Sequence, residues 1–163
     1  MNITAITLIG FALTIFSIYL VGYLNRVKPD YVFSFEDTMG IHKVPVVSFE
    51  HDGQIVNFIV DSGASHSVLN LSTIDKFDGE LLENAGGKLY GIDGNSVNTR
   101  LAKVEITKNG HVFQDVFQIL AVPGIDKMNT KGGVEVHGIL GSSFLKRYQF
   151  IINYKYLKAY TNG

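Results

Sequence analysis

Twelve residues constrain this chain more tightly than any others: Phe58-Ile59-Val60-Asp61-Ser62-Gly63-Ala64-Ser65-His66-Ser67-Val68-Leu69. Three apolar residues run into an acid, small residues follow, and an apolar strand resumes, the pattern of a carboxylate on a tight loop between two buried strands. Such an acid faces a cleft rather than bulk water. Upstream, Lys43–Phe49 and Gln54–Val60 flank Glu50-His51-Asp52-Gly53, and Asp-Gly is a strong hairpin turn signal. The hairpin delivers its second strand to Asp61. Along that strand Val56, Phe58 and Val60 share one face and Ile55, Asn57 and Ile59 the other, so both faces become apolar as the acid approaches.

The rest of the chain is punctuated into short pieces. Asn70 or Ser72 is placed to cap a short helical turn through Ile74, closed by Asp78-Gly79. Lys88–Asn98 reads as two polar strands around a glycine-bearing tip, a hairpin that its own burial cannot hold still. Arg100–Thr107 and His111–Val122 are longer strands joined by Lys108-Asn109-Gly110, a second hairpin turn. Pro123–Gly133 reads as a polar loop that leads into Val134–Gly141, and Ser142–Arg147 as a short helix with Ser142 as its cap. Phe150–Tyr154 and Leu157–Tyr160 finish as strands. Many short strands with regular turns define an all-β, barrel-like domain. The chain has no cysteine, which removes disulfides, thiolate metal sites and cysteine nucleophiles together. None of its five histidines has metal-ligand spacing, so neither a metal nor another cofactor is expected. A formal net charge of -1, with cations scattered among acids, gives no nucleic-acid surface.

Ahead of this domain, Ile3–Leu24 runs uncharged for twenty-two residues. As a helix at about 1.5 Å per residue it reaches roughly 33 Å, enough to cross the hydrocarbon core. No basic side chain precedes it, as a cleaved signal would require, so a retained single-pass anchor is expected. Arg26 and Lys28 follow directly and by the positive-inside tendency favour a cytoplasmic domain. The organisation read from the sequence is an anchor over residues 1–25, a juxtamembrane linker over 26–40 whose Tyr31-Val32-Phe33-Ser34-Phe35 run turns into an edge strand, and the folded domain over 41–161.

Asp61-Ser62-Gly63-Ala64 resembles the Asp-(Thr/Ser)-Gly-(Ala/Ser) loop of the aspartic proteases, most closely the half-sized, homodimeric retropepsin-like group. A second element fits: Gly138-Ile139-Leu140-Gly141-Ser142-Ser143-Phe144-Leu145, followed by Phe150–Tyr154, resembles that group's apolar-apolar-Gly segment, short helix and last strand. The resemblance implies a closed retropepsin-like barrel with one short C-terminal helix, here preceded by a transmembrane helix. It implies Asp61 as the catalytic acid, supported by Ser62, Gly63 and Ala64. It further implies a flap at Tyr90, Gly91, Ile92, Asp93 and Gly94, and Ile139, Leu140 and Gly141 behind the loop, the first two also offering apolar pockets. A homodimer pairing two copies of Asp61 around a water, an extended peptide or protein substrate, and no cofactor follow from the same likeness. Ala64 offers no hydroxyl to the carboxylate, from which a less acidic optimum than pepsin's is expected. Where retroviral members carry arginine after the glycine, Ser142 and Ser143 stand, which moves the likeness toward cellular and bacterial members. Two other readings compete: a catalytically inactive peptide-binding or dimerisation module on the same fold, and a serine hydrolase using Ser62 or Ser65 with His66. The second is disfavoured because neighbours on a strand face opposite sides.

Overall fold

The computed structural model describes residues 12–21, 31–77, 80–82, 87–90 and 96–161. Two sheets make the domain. In the larger, β2 (Val46–His51) and β3 (Gln54–Val60) form the first hairpin, with Asp52 and Gly53 both at positive φ as a two-residue turn between twisted strands requires. From there the order is β2, β3, β9 (Gly138–Leu140), β4 (Val68–Asn70), β8 (His111–Leu120), β7 (Ser96–Lys108) and β5 (Glu80–Leu81), with β6 (Gly87–Tyr90) also paired to β7. Asn109 and Gly110, again at positive φ, turn β7 into β8. One further pairing, Glu50 with Thr107, brings β2 back to β7 and closes the sheet into a barrel. Two of the pairings, β3 with β9 and β4 with β8, are parallel, so strands distant in sequence meet beside the loop that carries Asp61.

The smaller sheet runs β1 (Tyr31–Ser34), β11 (Lys158–Thr161), β10 (Ile151–Asn153), all antiparallel. Phe33 and Phe35 from its first strand and the turn after it are fully buried, inside a phenylalanine-rich core with Phe49, Phe58, Phe113, Phe117 and Phe144. Rings meet mostly edge-on or tilted, as Phe49 and Phe113 do at 5.4 Å, the arrangement their quadrupoles favour. The segment expected to be a linker is therefore part of the domain from Tyr31 onward. Its aromatic run is apolar on the buried face because it closes the end of the core, and a helix, α1 (Glu36–His42), follows it. Thr38 fastens that helix, donating to Val46 O and accepting from Val46 N, both at 3.2 Å.

Pro123–Asn129 forms a second helix, α2, where a polar loop was expected. Pro123 is at its first position, where a missing N–H costs nothing, and Ile125 drops into a small cluster with Val46 and Val136. Asp126, on the same helix, accepts from Asn70 Nδ2 and Ser72 Oγ, each at 2.7 Å, and those bonds hold its carboxyl below the ordinary carboxylate range. Asn70 spends its side chain on that contact rather than on capping the 3₁₀ helix, Leu71–Lys76, that follows it. The short C-terminal helix, α3 (Ser142–Arg147), stands where expected, with Gly141 at the N-cap position and Ser142 one residue inside. The strand before it, β9, covers only Gly138–Leu140, and His137 just upstream donates to Asn57 O and accepts from Asn70 N, both at 2.8 Å.

Residues 12–21 are helical and present exposed apolar side chains, among them Leu13, Phe16 and Ile18. Among the described residues no helix is long and apolar enough to cross a membrane. The expected anchor's other residues, 1–11 and 22–25, and the turn at Asp78-Gly79 lie outside the described residues.

Candidate active site

The loop 61–67 leaves β3 and enters β4, and its backbone is pinned before its chemistry begins. Val60 N donates to Pro45 O at 2.9 Å and Asp61 N to Leu140 O at 3.1 Å. Ala64 N then donates to Asp61 O at 3.3 Å, and Gly63 N donates to Asp61 Oδ1 at 2.8 Å. An N–H held against a carboxylate oxygen fixes the direction in which the side chain points. Asp61 is half-buried while Ser62 and Gly63 are exposed, so the carboxylate stands at the rim of the barrel.

Below the loop runs the second element. Ser142 N donates to Ala64 O at 2.7 Å and Ser143 N to Ser65 O at 3.2 Å, so the free amides at the start of α3 are used by loop carbonyls. This approach needs glycine at 141, since a β-carbon there would stand 2.4 Å from His66 O and 3.0 Å from Ala64 O. Leu140 is fully buried in the main core, and Ile139, half-buried, packs toward the smaller cluster. Leu140 thus backs the loop instead of lining a pocket, because β9 is an inner strand whose alternate side chains point to the barrel interior.

β6 and the start of β7 pair antiparallel up to Tyr90 opposite Ser96, on either side of the segment expected as a flap. Gly91, Ile92, Asp93 and Gly94 lie outside the described residues. Ser65 Oγ and His66 Nδ1 lie 3.0 Å apart, which corrects the expectation that neighbours here face apart: both sit on a loop, not a strand. Both are exposed, and among the described residues no acid orients the imidazole as a hydrolytic triad requires. Also among the described residues, no three His, Asp or Glu side chains are grouped to hold a metal ion.

Sequence reasoning passed over the polar residues that hold this region from behind. Ser67, fully buried, accepts from Gly141 N at 3.2 Å. Asn57, one residue before Phe58 on β3, donates from its backbone to His137 Nδ1 at 3.0 Å and from its side chain to Glu135 O at 2.7 Å. His137 is 1% exposed, and burial holds its pKa below the ordinary value of 6.5. Glu135, nearby, is held below its own ordinary range by its bond from Lys76. The one available signal was a polar side chain interrupting an apolar strand at Asn57 and before Gly138.

An all-β barrel that offers one Asp-Ser-Gly loop at its rim, with a glycine amide on the carboxylate and a helix start beneath it, has the architecture of an acid protease. The family model described as Aspartyl protease matches residues 47–144, from β2 into α3, and this chain belongs to that family: it is an aspartic-type endopeptidase. No curated protein matches the chain.

Proposed function

We propose that the chain works as a membrane-anchored homodimer in which Asp61 and its copy from a second chain form the catalytic pair. Peptide hydrolysis by this chemistry uses two carboxylates on one water, one accepting its proton while the other donates to the carbonyl oxygen. The observation that carries the reading is the Asp61 loop: the sequence holds a single Asp-Ser-Gly, presented at the barrel rim with Gly63 N on Asp61 Oδ1. A two-fold axis through that rim supplies the second acid by an isologous contact. Two like charges at that separation cannot both persist, so the pair keeps one proton between them. Ser62, exposed on the loop, is the residue proposed to hydrogen-bond across the pair to the partner loop. Substrate lies extended across the pair by strand addition, with the hairpin around Tyr90 closing over it. Residues 3–24 act as the anchor, a role supported by their uncharged apolar sequence and by the helix over residues 12–21. Arg26 and Lys28 favour a cytoplasmic protease domain.

The test is Asp61→Asn in the full chain, assayed on a quenched-fluorescent peptide pool with and without a statine-type inhibitor, alongside sedimentation. Loss of inhibitor-sensitive cutting in a chain that still dimerises is the expected result. Retained cutting removes Asp61 from the mechanism.

A further inference from the structure

Helix α3 is held at both ends, and one buried carboxylate joins the two attachments. At its start, Ser142 N and Ser143 N donate to Ala64 O and Ser65 O of the Asp61 loop. Just before it, Gly141 N donates to Ser67 Oγ at 3.2 Å, and Ser67 Oγ donates in turn to Asp115 Oδ2 at 2.7 Å. At its far end, Arg147 Nη1 reaches back to β8, donating to Asp115 Oδ1 at 3.0 Å and to Gln114 O at 2.9 Å. Asp115 is 4% exposed, so both its oxygens are committed, one to the loop's last residue and one to the helix's last residue. Ser67 also ties down its own backbone, its carbonyl accepting from Gln118 N at 2.9 Å. Three segments far apart in sequence, the loop, β8 and α3, thereby share one electrostatic pivot.

We propose that Asp115 and Arg147 are positioning residues for peptide hydrolysis, setting the height and tilt of the loop that carries Asp61 through Ser67 and the start of α3. The inference rests on the reading of Asp61 as the catalytic acid. The Arg147 side chain is half-exposed, yet its Nη1 ends on a buried carboxylate; charge-assisted bonds of this kind are stronger and more directional than neutral ones. With the pair broken, Ser67 keeps a hydroxyl but loses the fixed acceptor that orients it, so Gly141 N and the loop carbonyls lose a common reference. A loop free to shift by a fraction of an ångström misplaces both copies of the acid at once, and displacements near 1 Å cost about 100-fold in rate in well-oriented sites.

The test uses the full chain carrying Asp115→Asn, Arg147→Met or Arg147→Lys, assayed on the best-cut peptide of a quenched pool, with active sites counted by a tight statine inhibitor. Turnover per titrated site should fall about tenfold or more in Asp115→Asn and Arg147→Met with KM within about twofold, and Arg147→Lys, which keeps the charge, should recover part of it. A purely structural role lowers the number of titrated sites and the melting temperature but leaves turnover per site unchanged, and that result overturns the proposal. Should Asp115→Asn fail to fold, Arg147→Met, which alters a half-exposed side chain, decides alone. Asp61→Asn runs in parallel. Cutting that survives it refutes the site, whereas a dead Asp61→Asn beside fully active Asp115 and Arg147 variants refutes only the positioning role.

Discussion

A methyl group at position 141 would press on the backbone carbonyls of His66 and Ala64, the second already accepting from Ser142 N, so no flexible side chain is available to yield. Gly141→Ala is expected to cost about 1–3 kcal/mol, the usual range for overpacking, and to reduce activity more than stability because the atoms displaced belong to the Asp61 loop. Chemical denaturation beside a turnover assay checks this, with Gly124→Ala, where a β-carbon meets nothing within 4 Å, as the neutral control. His137 sets a different limit. A backbone N–H can only donate, so Asn57 N makes His137 Nδ1 an acceptor and leaves the ring proton on Nε2, 3.6 Å from Glu135 Oε2. A second proton would have to enter at Nδ1, against that N–H and inside the core. Burial therefore keeps the folded pKa below 6.5, and the unfolded chain takes up the proton first as pH falls. The stability this histidine contributes is complete above about pH 6.5 and is lost as pH falls toward the folded pKa. Urea midpoints followed from about pH 7.5 down to about pH 5 should decline, and His137→Gln should flatten the decline. An identical slope in that variant would assign the acid sensitivity elsewhere. His137 directly precedes β9, so the same titration should blunt activity at strongly acid pH.

Among the elements, β1 and α1 carry the sharpest consequence of the structure. A chain beginning at residue 41 loses Phe33 and Phe35 from the core together with the partner strand of β11. Deleting one buried phenylalanine side chain costs about 3–5 kcal/mol, and two consume most of a typical domain's 5–15. A chain beginning at residue 31 is expected to melt cooperatively and one beginning at residue 41 to be largely unfolded, which circular dichroism distinguishes. The domain edge was hard to read because Tyr31–Phe35 is short and follows Pro29 and several charges; only its pairing with β11, more than a hundred residues away, makes it core. The hairpins were easier. Asp52-Gly53 and Asn109-Gly110 are local turn chemistry, and both sit at positive φ as such pairs do. Helix α2 went unread because Gly124 and polar neighbours hide a single decisive apolar residue, Ile125, whose burial depends on Val46 and Val136. The Asp61 loop and the Gly138–Gly141 segment were legible as motifs, but the Ser67, Asp115 and Arg147 chain was not. No local pattern relates residues that meet only when β4, β8 and α3 pack.

For the whole molecule, the decisive quantity is how activity depends on the company each chain keeps. One barrel presents one acid at an exposed rim, and the smaller sheet leaves β10 at its edge with Ile151 mostly exposed. If the working unit is a pair of chains, each acid is useful only beside another, and a chain carrying Asp61→Asn is a poison rather than a diluent. Mixing equal amounts of the intact chain and Asp61→Asn, with exchange allowed to reach equilibrium, leaves about one quarter of the pairs with two acids, so activity should fall to about one quarter of that of the same total amount of intact protein. Chains acting singly would retain about one half. Dilution gives a second check on the same footing, because specific activity should drop once the concentration passes below the dissociation constant of the pair. A mixing curve linear in the intact fraction, with specific activity constant on dilution, would mean that a single barrel hydrolyses peptides unaided. The second proton-carrying group would then have to be sought within the chain, where His66, exposed on the same loop and paired with Ser65, is the nearest titratable neighbour in sequence.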